Sequence, residues 1–216
     1  MEYHERALRL NQETGNKQGE AGANGNLGTA YHSLCDYQRA VEYLERALRL
    51  NQETGNKQGE ATAYGNLGIA YHSLGDYQRA VEYHERALRL YQETGNKQGE
   101  AAAYGNLGKA YHSLGDYQRA VEYRERALRL NQETGNKRGE ALVYGDLGLT
   151  YHALGHYQRA VEYHERVLKF GKETGNKRVK AIAYENLGTS YIKLGDFQRA
   201  EDYLERARKI RKETET

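Results

Sequence analysis

The chain has 216 residues, 29% of them charged, and its 32 Lys and Arg against 30 Asp and Glu leave a net charge of +2. So even a balance gives no global field to draw in nucleic acid or anionic lipid, and points to protein partners chosen locally. One cysteine, no apolar run of spanning length and no leader-like amino terminus are the marks expected of a soluble protein in a reducing compartment, the cytoplasm by default, with neither disulfide framework nor membrane segment.

The mean hydropathy of -0.99 would suit disorder, but 20 tyrosines and regularly spaced Leu, Ala and Val supply surface to bury. Residues 2–17 equal residues 82–97 apart from Asn11/Tyr91. Segment 1–14 is therefore expected to be the latter part of a second helix, in a fragment that begins inside a repeat of a longer array. Five blocks follow: 15–54, 55–94, 95–134, 135–174 and 175–216. In the second, Tyr64, Leu67, Tyr71 and Leu74 recur at spacings of three and four, which predicts a helix from about Asn56 to Leu74. Gly75 closes it, and Asp76 can cap the next. Tyr77, Ala80, Val81, Ala87, Leu88 and Leu90 carry the pattern to about Thr94, with Glu82/Arg86 and Glu85/Arg89 as i,i+4 pairs on the other face. Gly95 and Asn96 then repeat the punctuation. This register places first helices near residues 17, 57, 97, 137 and 177 and second helices near 36, 76, 116, 156 and 196. In the last block Glu201 and Arg208 stand where Val81 and Leu88 stand, the polar outer face expected of a terminal repeat. A single hairpin cannot bury both of its faces, so the hairpins are expected to stack on one another.

Tyr64, Leu67, Gly68, Tyr71, Gly75, Tyr77, Ala80, Tyr83, Ala87 and Leu90 resemble the tetratricopeptide repeat (TPR) signature, and the match recurs in all five blocks. The fold this implies is all-α: one right-handed α-solenoid superhelix of stacked helical hairpins. Ordinary TPRs run about 34 residues. The longer period here, with "ETGNKQGEA" closing the repeat, resembles the long-helix TPRs of the LGN/Pins scaffold family. That resemblance implies a protein–protein interaction scaffold that holds a linear peptide in a concave groove, with no enzymatic activity and no cofactor. Nothing in the chain resembles that family's G-protein-binding tail.

Residues 61–97 and 101–137 differ at four places, Thr62/Ala102, Ile69/Lys109, His84/Arg124 and Tyr91/Asn131. Two of them lie on the first-helix stripe Gln58, Thr62, Gly65, Ile69, His72, Ser73, which the TPR resemblance turns towards the groove. Read across blocks, the columns Gly22, Thr62, Ala102, Leu142, Ile182 and Thr29, Ile69, Lys109, Leu149, Thr189 vary. They are either ligand-facing or drifting at solvated sites. Gly25, Gly65, Gly105 and Gly145 sit in helix interiors, where each costs roughly 1 kcal/mol against alanine. Packing between adjacent first helices is the favoured offset, close approach of a bound backbone the other. Beside them Asn26, Asn66, Asn106, Asp146 and Asn186 can hold a peptide main chain, as the corresponding asparagines do in related TPRs, or bond between repeats. His32, His72, His112 and His152 form a ladder too widely spaced for a shared metal and read as groove polarity. Lys109, Arg138, Arg178 and Lys193 load the later repeats with positive charge, which suits an acidic or phosphorylated ligand.

Other constellations point away from chemistry. Gly155 breaks the helix between His152 and His156, so the pair does not form an i,i+4 metal site. Cys35 replaces a turn glycine and has no recurring acidifying neighbour. "GNKQG" and "LGKAY" lack the ending and the preceding strand of a phosphate loop. The competing expectation is a structural spacer or self-associating rod, monomeric or weakly associating end to end. RNA binding is disfavoured, because the tyrosines occupy packing columns and the charges balance.

Overall fold

The computed structural model describes residues 1–215, and all regular structure among them is α-helical. The chain divides into two compact units, Met1–Gly115 and Asp116–Thr216. The first holds α1 (Glu2–Glu13), α2 (Lys17–Ser33), α3 (Tyr37–Glu53), α4 (Lys57–Ser73), α5 (Tyr77–Glu93) and α6 (Lys97–Ser113). Here α2–α3 and α4–α5 form hairpins, α1 packs on α2, α3 on α4 and α5 on α6, while α2 also touches α4 and α4 touches α6. The second holds α7 (Tyr117–Glu133), α8 (Lys137–Ala153), α9 (Tyr157–Glu173), α10 (Lys177–Leu194) and α11 (Phe197–Glu215). Its hairpins are α8–α9 and α10–α11; α7 packs on α8, α9 on α10, and α8 also touches α10. Within each unit, consecutive hairpins thus stack as in a helical solenoid, with first helices side by side.

The punctuation read from the sequence works through capping. Asn56 Oδ1 accepts the Gly59 amide at 3.0 Å and Asp76 Oδ1 the Arg79 amide at 3.0 Å, so amides left over at each helix start are satisfied. Gly75, φ 82°, turns the chain through the left-handed region. Cys35, φ 61°, is the only non-glycine among the described residues to do so. His156, in the aspartate's place, makes no capping bond and stacks on Tyr151 instead.

The core of each hairpin is a leucine held between alanines, with Leu67 and Leu147 and their neighbours Ala80 and Ala160 all fully buried. Tyrosines seal the sides: Tyr71 stacks on Tyr83 with centroids 5.2 Å apart, and Tyr151 on Tyr163 at 5.4 Å. Arg79 lies 5.3 Å over the Tyr71 ring and Arg159 5.3 Å over the Tyr151 ring, the more buried of each pair, covering it by cation–π contact.

Helix separation is set where a side chain seats on a glycine. A Cβ added at Gly68 would stand 2.5 Å from His84 Cε1, and one at Gly28 or Gly188 would stand 2.6 Å from Leu44 or Leu204. His84 therefore lies inside its hairpin rather than at the junction between hairpins. The junction has its own seat, with Asn51 on Gly59, Tyr91 on Gly99 and Asn131 on Gly139. Between α9 and α10 the roles invert: Gly171 lies on the second helix, and Val179 and Lys180 fill the space from the first, Lys180 Cγ 3.0 Å and Val179 Cγ1 3.1 Å from where a Gly171 Cβ would be. Seats of this kind leave no room for an added methyl and leave a void when the knob is lost. Gly139→Val is accordingly expected to destabilise by roughly 1–3 kcal/mol. Adding Asn131→Gly, which copies the inverted pair, is expected to restore most of that loss in urea denaturation. Equal stability of the single and double variants would show that the junction is not a knob-and-hole seat.

Candidate functional site: the exposed face of the first helices

Packing uses up three sides of each first helix and leaves one. Thr62, Ile69, Lys109, Arg138, Leu149, Arg178 and Lys193 are exposed, as are Leu142 at 65% and Ile182 at 42%. Asn66, Asn106, Asp146, Asn186, His72, His112 and His152 border them half-buried, and Asn26 is exposed. In the first unit, Gln18, Gly22, Asn26 and Thr29 of α2 and Gln58, Thr62 and Asn66 of α4 line one shallow cleft of about 360 Å³, floored by Leu44 and Ala47 of α3.

The glycines along this face do not serve packing. A Cβ at Gly25 or Gly105 would meet nothing within 4 Å, at Gly65 only the Tyr91 hydroxyl at 4.0 Å, and at Gly145 only Val167 Cγ2 at 3.9 Å. The expectation of tight approach between adjacent first helices is overturned; the tight glycine is Gly68, three residues on. The carboxamides of Asn26, Asn66 and Asn106 beside them, and that of Asn186 beside Glu185, make no hydrogen bond among the described residues. The inter-repeat bond considered for them is absent, and each keeps a donor and an acceptor open to solvent.

The histidine ladder, in contrast, is spoken for. His32 Nε2 pairs with Ser73 Oγ at 2.9 Å and His72 Nε2 with Ser113 Oγ at 3.0 Å, each joining one first helix to the next. These rings are inter-repeat links rather than free groove polarity. Burial, then the nearby Lys109 charge, holds the His72 imidazolium disfavoured, and burial and Lys193 do the same at His152. At His152 the serine's place, 41 residues on, is taken by Lys193, and the buried Nε2 has no partner.

Asp146 also differs from its column. Arg124, 3% exposed, donates from Nη1 to the Asp146 carbonyl oxygen at 2.9 Å, and the Asp146 charge offsets part of the burial that disfavours the guanidinium. The one arginine of the column Leu44, His84, Arg124, His164, Leu204 is matched with the one aspartate of the asparagine column. That coincidence, 22 residues apart, was the signal available in the sequence. Gln58 is likewise engaged, accepting from Asn96 Nδ2 of the following helix at 3.2 Å. Lys109, Arg138, Arg178 and Lys193 make no ion pair among the described residues. No cluster of His, Cys, Asp and Glu fit to hold a metal occurs among them, and no helix is long and apolar enough to cross a membrane.

Family models described as tetratricopeptide repeat match residues 2–53, 19–93 and 99–173, and a second such model matches 181–215. The chain belongs to the tetratricopeptide repeat family. TPR proteins generally mediate protein–protein interactions and are typically non-enzymatic. No curated protein matches the sequence. Among solved structures, BtubC from P. vanneervenii is 26% identical with a TM-score of 0.86, over 98% of this chain and 88% of that one. A putative kinesin light chain of Podosopora anserina, with nearly identical TPR-like repeats, is 26% identical with a TM-score of 0.75, over 89% and 95%. A signal transduction ATPase with numerous domains from Pyrococcus horikoshii, a protein with a tetratricopeptide repeat sensor, is 21% identical with a TM-score of 0.85, over 99% of this chain and 34% of that one, a likeness of fold alone.

Two glycines three residues apart are expected to respond oppositely to the same change. Gly65→Ala should raise stability by up to about 1 kcal/mol, because the helix gains propensity and the methyl meets no one. Gly68→Ala should lower it by roughly 1–3 kcal/mol, because the methyl meets His84. Equilibrium urea melts check both signs, and a destabilising Gly65→Ala would return that column to packing.

Proposed function

We propose that the exposed face of the first helices holds an extended peptide segment of a protein partner. The observation that carries this is the set of unpaired carboxamides at Asn26, Asn66, Asn106 and Asn186, the first three beside helix glycines that no packing requires. A carboxamide offers one donor and one acceptor, the same pair a peptide unit needs, and a missing side chain beside it leaves room for a backbone. In the first unit the cleft between α2 and α4 is lined by small and polar side chains, with Ile69 and Lys109 exposed further along the face. In the second, unpaired Arg138, Arg178 and Lys193 stand among exposed Leu142, Leu149 and Ile182, which favours a segment combining carboxylates, or phosphates, with apolar side chains. The long repeat period supports the LGN/Pins-like mode of peptide holding, and the sparse cysteine supports a cytoplasmic setting.

The test is selection of binders from a displayed random peptide library on the whole chain, followed by affinity measurement on Arg178→Glu/Lys193→Glu. Enriched peptides should be acidic and should bind the charge-reversed variant at least tenfold more weakly, with the loss shrinking as salt rises. Enrichment without charge preference would overturn the acidic ligand. No enrichment at all would overturn peptide holding and leave the repeats as a spacer.

A further inference from the structure

We propose that each unit carries an acid-sensitive joint, formed by a buried histidine, His84 in the first unit and His164 in the second, that keeps its hairpin stacked only while its ring is neutral. The two side chains are 2% and 1% exposed, and the Nδ1 of each has no hydrogen-bond partner among the described residues. Each ring is seated directly on a glycine of the preceding helix, Gly68 or Gly148, where even an added methyl would collide with it.

The charged groups that face these rings are all cationic or become so on protonation. Around His84, α4 contributes His72 and α6 contributes Lys109. Around His164, α8 contributes His152, on which Lys193 of α10 in turn acts. No carboxylate bears on either ring. The same column shows what a charged knob needs, since Arg124 has Asp146 positioned 22 residues on. The residues 22 positions after His84 and His164 are Asn106 and Asn186. The chain thus supplies a counter-charge only where the knob is permanently ionised. At the other positions of the column, Leu44 and Leu204 occupy equivalent seats on Gly28 and Gly188, which shows that the seat itself suits an uncharged knob.

Burial, reinforced by neighbouring cations, pushes His84 down to about 3, and burial with His152 pushes His164 down to about 4. The unfolded chain, titrating near ~6.5, therefore takes up protons first. Stability held by the neutral rings is complete above about pH 6.5 and falls with pH until the folded rings protonate in turn. At pH 5.5 each histidine lowers the folding equilibrium of its unit about tenfold.

The experiment is hydrogen exchange with mass spectrometry on the whole chain at pH 7.5, 6.5 and 5.5, corrected for intrinsic exchange. The wild type is compared with His84→Leu/His164→Leu and with Asn106→Asp/Asn186→Asp. Protection in α4–α6 and α8–α10 of the wild type should fall about tenfold between pH 7.5 and 5.5. The leucine variant should lose markedly less, keeping only the part contributed by His72 and His152, and the aspartate variant should also lose less than the wild type, because its histidines gain a counter-charge. A wild type whose protection is level across that range, or all three proteins losing it equally, would overturn the proposal. Should leucine impair folding, the aspartate variant decides alone: a loss equal to that of the wild type overturns it.

Discussion

The distance between helices rests on one kind of contact, a side chain seated directly on a helical glycine. His84 on Gly68 fixes the two helices of a hairpin, and Tyr91 on Gly99 fixes one hairpin against the next. With those separations set, Leu67 is sealed on every side and Tyr71 and Tyr83 come into stacking distance. A glycine here costs helix propensity, which the dispersion and burial gained along the whole approach offset. The seats explain why their glycines stay fixed: a methyl added there alone collides with the knob above it. The knob itself varies over an unchanged glycine, as Leu44, His84 and Leu204 do, and where the glycine is replaced its partner changes too, as at Gly171 and Val179.

Function follows from the side of each first helix that packing leaves over. Its neighbours are satisfied by histidine–serine links and by Gln58 with Asn96, so the asparagine carboxamides are conspicuous for having none. The two units present this face with different chemistry. The first begins with small and neutral Gly22 and Thr29 and carries Ile69 and Lys109 further along; the second is lined by Arg138, Leu142, Leu149 and Arg178. A scaffold of nearly constant geometry can carry such differences at little cost to stacking, because these side chains lie on the exposed side of each first helix.

Much of the fold was legible in the sequence, because helix ends are local events. Asn56 and Asp76 announce caps, Gly75 a left-handed turn, and the spacing of Tyr64, Leu67 and Tyr71 a buried stripe. The exposed stripe through Thr62, Ile69 and Lys109 was legible for the same reason, since helical geometry fixes which residues share a side. What was not legible were relations between helices. That Gly68 is crowded while Gly65 is open depends on where His84 and Tyr91 fall in a neighbouring helix, and spacing within one helix carries no trace of it. The serine that receives His72 lies 41 residues on, and the partner of Arg124 lies 22 on; both are visible in the letters only once the stacking is known.

Near-identical repeats face a hazard that ordinary domains do not: a helix can dock in the place of its copy, forty residues out of register, and exchange between molecules can do the same. The inverted seat at α9 and α10 works against this. Val179 placed against Asn131 would meet a filled space, and Gly139 placed against Gly171 would leave an empty one, so each mismatched pairing forfeits contact that the correct one makes. The buried pairing of Arg124 with Asp146 adds an electrostatic label of the same kind, since a shifted Arg124 would face an asparagine. A few departures from the repeat thus act as address labels along an otherwise uniform chain, and erasing them to perfect the consensus would be expected to favour swapped assemblies.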